Sequence, residues 1–236
     1  MASAQLQHWP SDTGNQPSQV AAQDKPTPLS KRTIVKKIVL APLNLYRNTR
    51  ASIDWIWNWI MVKHRKVAYG SFPVIKGRIR LYGEGRFTFG NDVRFNCSLE
   101  SNFVGLFKTC TVAVLKNASL EIGDHSGFSG LSLYCADKIT IGKHVNFGGN
   151  VCIWDTDFHP LNYAERRIHN VNQINSAPIV IEDDVFVGAN SIILKGITIG
   201  ARSIIGAGSV VTKNIPPDEI WAGNPVKFIR KLSEGV

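Results

Sequence analysis

A chain of 236 residues, 44% hydrophobic and 19% charged, can bury a substantial core, which excludes a wholly disordered chain and leaves room for one large domain with an appendage. The formal net charge of +9 is unevenly spread: residues 31–80 hold twelve Lys or Arg against one acid, Asp54, a local +11. Such a segment suits an anionic partner, a membrane surface or a polyanionic acceptor, with nucleic acid the partner not expected.

Residues 1–30, rich in Ser, Gln, Pro, Ala and Asp, predict a disordered leader. They lack the positive start and apolar run of a secretory signal, so a cytoplasmic protein is expected. Residues 31–70 form a basic extension in which apolar residues recur at helical intervals, among them Ile34, Ile38, Ile53, Ile56 and Ile60. One or two helices are predicted, with Pro42 breaking the run. The stretch IDWIWNWIMV carries Trp55, Trp57 and Trp59; it is too short to span a bilayer. Residues 31–66 are therefore expected either to touch the inner face of an anionic membrane or to pack on the following domain or a neighbouring subunit.

From residue 71 to 215 the organising signal is a period of six. Ile181, Val187, Ile193, Ile199, Ile205 and Val211 stand in phase, usually with a small residue two positions earlier, such as Ser191, Ser203 and Ser209. The same phase is expected through Ile75, Leu81, Phe87, Val93 and Leu99, fails around 101–121, and returns at Ile122, Phe128, Ile141, Phe147 and Ile153. Six matches neither an amphipathic helix nor an alternating strand. It fits an all-β fold, a parallel β-helix in which three short sides make one coil, the aliphatic residues point inward and small residues permit the corners. Residues 154–178 interrupt the period with polar and aromatic residues and read as a protruding loop, where sites tend to lie. Residues 216–236, with a double proline and a Gly-Asn-Pro turn, are expected to cap the last coil and end in a short basic helix. Cys97, Cys110, Cys135 and Cys152 contain no CxxC pair and read as buried thiols.

The segment ITIGKHVNFGGNVCIWDTDFHPLN resembles the galactoside and maltose O-acetyltransferase branch of the hexapeptide-repeat acyltransferases, a resemblance that extends from about Ile122 to Leu232 and includes polysaccharide O-acetyltransferases. It implies a left-handed β-helix, a homotrimer, and direct acyl transfer from acetyl-CoA to a sugar, polysaccharide or glycolipid hydroxyl without a metal. It also implies that His159, followed by Pro160, is the general base and that Asn150 contacts the acceptor. The chemistry agrees, because a sugar hydroxyl is a poor nucleophile and an imidazole, with an ordinary pKa of about 6.5, is suited to take its proton. Asp155 or Asp157 could orient the imidazole, or serve as turn residues. His169, Glu165, Arg166 and Arg167, later in the loop, could touch acceptor. For the cofactor the resemblance points to Gly188, Ala189, Ala207 and Gly208 along the pantetheine arm, with Thr212 and Lys213 beyond them. Lys227 and Arg230 are candidates for its phosphates.

Other readings carry different chemistry. N-acetylation of an amino sugar or O-acetylation of serine would use the same site. A γ-type carbonic anhydrase needs two histidines five residues apart among three zinc ligands, and no pair among His125, His144, His159 and His169 has that spacing. A catalytically silent assembly module would have no need of Asn150 and His159.

Overall fold

The computed structural model describes residues 31–232; the predicted leader over residues 1–30 lies outside them. Beyond a long helix, α1 (Lys31–His64), the chain winds into a three-sided parallel β-helix. Face A stacks Ala68–Tyr69, Arg86–Phe89, Ser119–Ile122, Lys138–Ile141, Ile179–Ile181 and Thr198–Ile199. Face B stacks Val74–Lys76, Arg94–Asn96, Gly127–Ser129, Asn146–Gly149, Phe186–Val187 and Ile204–Ile205. Face C stacks Arg80–Tyr82, Thr111–Val114, Ser132–Cys135, Cys152–Trp154, Ile192–Ile193 and Val210–Val211.

The period of six translates into this register. Ile141, Ile181 and Ile199 are cross-strand neighbours on face A, Phe147, Val187 and Ile205 on face B, and Ile153, Ile193 and Val211 on face C. All nine are buried. Inside face B, the rings of Phe95, Phe128 and Phe147 stack at centroid spacings of 5.1 and 4.8 Å, the repeat of adjacent strands. The small serines two positions before the aliphatics have a polar task. Ser191 and Ser209 donate to Gly206 O at 3.1 and 2.6 Å, and Ser203 donates to Pro216 O at 2.6 Å, so each buried hydroxyl is paired.

Three expectations are corrected. First, the early phase slips. Phe89 and Phe95, rather than Phe87 and Val93, align with Ile122 and Phe128, because the turn through Gly83, at φ +88°, inserts two residues; Leu99 falls outside the core and is 55% exposed. Second, Pro42 lies inside α1 rather than ending it. Third, the described residues of the C-terminal segment form no helix. Glu219–Ala222 continues face B and Lys227–Lys231 returns antiparallel beside it. Gly223, at φ +104°, and the Asn224–Pro225 turn reverse the chain, and the T-shaped packing of Trp221 on Phe228, 5.8 Å between centroids, holds the hairpin.

The last turns of α1 cover the first coil. Asn58 is buried, donating to Gly77 O at 2.9 Å and accepting from Ile79 N at 3.0 Å. Trp57 Nε1 donates to Ile79 O, and Arg65 to Leu81 O and Gly83 O. These bonds satisfy the edge of face C that an end coil would otherwise leave unpaired.

Candidate active site

Two structural features converge on the residues singled out above: one corner of the β-helix and the protruding loop.

At the corner between faces B and C, successive coils place Gly148–Gly149–Asn150, Gly188–Ala189–Asn190, Gly206–Ala207–Gly208 and Ala222–Gly223 one above another. Asn190 N donates to Gly149 O and Gly208 N to Ala189 O, both at 2.8 Å. Asn150, Asn190 and Gly208 share positive φ values of +63°, +61° and +70°, which Asn and Gly tolerate best. Stacking is close: a Cβ added to Gly188 would lie 2.5 Å from Ala207 N. Four of the predicted cofactor residues, Gly188, Ala189, Ala207 and Gly208, thus form one ladder, with Asn150 on the rung below. From the Asn150 rung to the Gly223 rung are three coil steps, about 14 Å at ordinary strand spacing.

This corner is bare where another is capped. Between faces A and B, the N–H groups of Asn91, Lys143 and Ala201 donate to the carboxylates of Asp124, Asp183 and Glu182. At the B–C corner the N–H groups of Ala189 and Ala207 have no protein partner among the described residues. Two unpaired backbone donors beside small side chains suit an extended ligand with amide carbonyls. Thr212 and Lys213 follow the last face-C strand, with Lys213 Nζ 5.9 Å from the Trp221 ring centre. Lys227 pairs with Ala222 at the head of the ladder, whereas Arg230 pairs with Ile220, farther along the hairpin.

Asn150 is buried, and its amide is occupied. Its Oδ1 accepts from Phe107 N at 3.2 Å and its Nδ2 donates to Gly105 O at 3.1 Å, so it clamps the loop 98–109 over the lower end of the ladder. Lys108 Nζ in that loop lies 3.0 Å from Cys152 Sγ. The loop springs from Cys97 and Cys110, two buried thiols, with Cys110 Sγ donating to Asn96 O at 3.3 Å. The neighbouring Cys110 thiol, then burial, raises the pKa of Cys97; burial pushes the Cys135 thiol up as well. All four cysteines are free. Sequence reasoning missed this loop because its interruption of the period carried no motif.

The protruding loop leaves face C after Trp154. Its neck is a two-stranded contact in which Ala177 N donates to Asp155 O at 2.9 Å and Asp157 N to Asn175 O at 3.0 Å. The Asp155 side chain is fully buried and accepts from Ala136 N at 2.6 Å and Asp137 N at 2.9 Å. Burial raises its pKa, against the pull of those two donors. Asp157 is held by Lys195 Nζ of the next coil at 2.9 Å, and its Oδ2 is buried without a partner. His159 is exposed, and no hydrogen bond joins it to either aspartate among the described residues. Phe158 packs on Tyr134 and Trp154, at centroid distances of 4.8 and 5.7 Å, and so seats the His159–Pro160 step against face C.

Beyond the neck, Asn162 caps the short helix α2 (Tyr163–Arg167). Arg166 donates to Pro160 O at 3.0 Å and Leu161 O at 3.2 Å, fixing the backbone beside His159. Glu165 accepts from Asn170, and Arg167 lies over the Tyr163 ring. These three bind the loop to itself; His169 is exposed at φ +51°. Lys195, Asn175 and Arg166 complete the support of His159, and none was legible in the motif. A cavity of about 720 Å³ between α1 and the first coils, lined by Arg50, Asp54, Trp57, Arg78 and Arg80 among others, contains none of the candidate residues.

Residues 178–213 match the family described as the hexapeptide repeat of succinyl-transferase. The chain is 35% identical over 144 residues to galactoside O-acetyltransferase of Lactococcus lactis, covering 61% of this chain and 64% of that protein. It is 40% identical over 96 residues to the Escherichia coli enzyme of the same name, covering 41% and 45%. The chain thus spans less than two thirds of the length of either relative. Among solved structures, AntD from Bacillus cereus, an N-acyltransferase in complex with dTDP and 3-hydroxybutyryl-CoA, superposes with a TM-score of 0.56 at 19% identity, covering 73% of this chain and 87% of that one. That likeness is of fold, and it fits the left-handed β-helix expected.

Proposed function

We propose that this hexapeptide-repeat β-helix is an acyl-CoA-dependent O-acyltransferase that moves an acetyl group from acetyl-CoA to a hydroxyl of a sugar, polysaccharide or glycolipid. The bare ladder at the B–C corner carries the reading, since its Ala189 and Ala207 donors and close-stacked glycines offer a linear amide-bearing arm both hydrogen bonds and room. Lys227, at the head of the ladder, supplies a cation for the cofactor's phosphates, and Lys213, beyond the last face-C strand, offers a second.

His159 is the general base. The acceptor oxygen attacks the thioester carbonyl while the imidazole takes its proton; collapse breaks the C–S bond, and the imidazolium returns the proton to the departing thiolate. No acyl-enzyme is needed, in keeping with four cysteines that serve packing and the loop clamp. Asn150 acts at one remove, holding the loop 98–109 where the acceptor must lie. Asp157, anchored by Lys195, fixes the root of the His159 loop.

Distance supports a homotrimer. Asn150 and the root of the loop at Asp155 stand at opposite ends of one face-C strand, five residues or about 16 Å apart. Threefold packing would bring the loop of one protomer to the ladder of the next.

The test is cofactor binding and thiol release. Ala207→Leu places bulk on the exposed ladder and should weaken coenzyme A binding by about tenfold or more, the cost of one lost contact set of roughly 1.4 kcal/mol. Unchanged binding would remove the ladder from the site. Product identification with a panel of saccharides, amino sugars and serine separates O-transfer to sugars from the alternatives.

A further inference from the structure

The polarity of α1 is reversed where it covers the solenoid. At 100° per residue, Asp54, Asn58, Met61, Val62 and Arg65 share the face turned to the first coil, and their polar members are those bonded to it. The opposite arc carries Leu45, Ile53, Ile56, Trp59 and Ile60, each between 45% and 69% exposed. A surface helix ordinarily presents its charged face to water; this one presents a stripe of aliphatic and indole groups over residues 53–60, with Leu45 set apart from it by Thr49 and Ser52 on the same arc. A contiguous apolar patch of that kind marks a docking surface.

The net charge of this stretch of helix selects the partner. Over residues 45–66 the sequence carries Arg47, Arg50, Lys63, Arg65 and Lys66 against Asp54 alone; Lys63 shares the stripe's arc, whereas Arg65 and Asp54 are on the inner face, Arg65 bonded to Leu81 O and Asp54 2.6 Å from Arg78 Nε. A second copy of this chain meeting the stripe would bring like charges together, and nothing acidic on the helix offsets them. An anionic lipid surface complements both features, since aliphatic and indole side chains enter the acyl boundary while Lys and Arg pair with headgroup phosphates. No helix among the described residues is long and apolar enough to cross a membrane, so the contact is one of lying on the surface. We infer that the Ile53–Ile60 stripe of α1 docks the protein on an anionic bilayer, holding the solenoid beside it.

Co-sedimentation of the full chain with vesicles of phosphatidylglycerol and phosphatidylcholine tests this directly. Binding should be strong at low salt, fall several-fold in high salt, and be weak with phosphatidylcholine alone. Ile56→Glu combined with Ile60→Glu should lower binding by about tenfold or more, leaving oligomeric mass and coenzyme A binding unchanged. Trp59→Phe, which keeps the apolar stripe, should bind and lose part of the quenching that brominated lipid produces in the native protein. Absence of binding to acidic vesicles, or indifference to the double substitution, overturns the inference. A double variant that loses its native oligomeric mass without lipid also overturns it, by making the stripe a contact between subunits. None of these outcomes depends on acyl transfer.

Discussion

Substituting Asn150 separates a clamp from an acceptor contact. In Asn150→Ala the loop 98–109 loses the bonds to Gly105 O and Phe107 N. Gly105 and Phe107 are exposed, so water can replace the side chain, and the loss is about 0.5–1.5 kcal/mol for each bond rather than the larger penalty of a buried orphan. The backbone at φ +63° adds about 1–2 kcal/mol, because alanine lacks the tolerance of asparagine for the left-handed region. The sum is about 2–5 kcal/mol, concentrated in one loop. Hydrogen exchange should show it as lost protection at the Phe107 amide, with the coils of faces A and C unaffected. Asn150→Asp keeps the acceptor for Phe107 N and loses only the donor to Gly105, so it should fall between. If Phe107 exchanged no faster in Asn150→Ala while acceptor KM rose, the clamp would be wrong and direct contact with acceptor would take its place.

Asp155→Asn should cost about 1–3 kcal/mol at neutral pH, since an amide group can accept from only one of Ala136 N and Asp137 N. The folded state raises the pKa of Asp155, so the native protein binds the proton more tightly than the unfolded chain does, and the destabilisation from the buried charge is relieved as pH falls through the raised value. The stability gap between wild type and Asp155→Asn, read by chemical denaturation, should therefore widen from neutral pH toward pH 4, and a gap that narrowed would contradict the burial argument. Lys195→Met removes the partner of a largely buried carboxylate and should lower turnover more than coenzyme A affinity while loosening exchange at residues 155–160; unchanged turnover would detach Lys195 from the His159 support. Mixing Ala207→Leu with His159→Ala protomers should restore transfer above either parent if sites are shared between subunits, and no restoration would argue for sites within one chain.

The repeating core was legible because one aliphatic per six residues is a direct image of one inward side chain per face, as Ile181, Val187 and Ile193 illustrate. The early phase was not, since two extra residues at Gly83–Gly85 shift Phe89 and Phe95 without altering composition. The run KFIRK has too few residues to separate helix from strand by periodicity, and its strand conformation depends on the turn at Gly223 and on Trp221, a tertiary partner. At the site, His159 and the small residues of the ladder could be read from a motif. The clamp on Asn150, the Lys195–Asp157 pair and the backbone carbonyls held by Arg166 join residues tens of positions apart or lie within an irregular loop, and no local pattern announces them.

The central claim, transfer from acetyl-CoA with His159 as base, is tested most directly by measuring acetyl transfer to a saccharide acceptor in wild type and His159→Ala, with coenzyme A binding followed in parallel. Loss of a general base costs about a hundredfold to ten-thousandfold in rate. His159→Ala should show that loss at unchanged coenzyme A affinity and oligomeric mass. Transfer at near wild-type rate by His159→Ala would contradict the account.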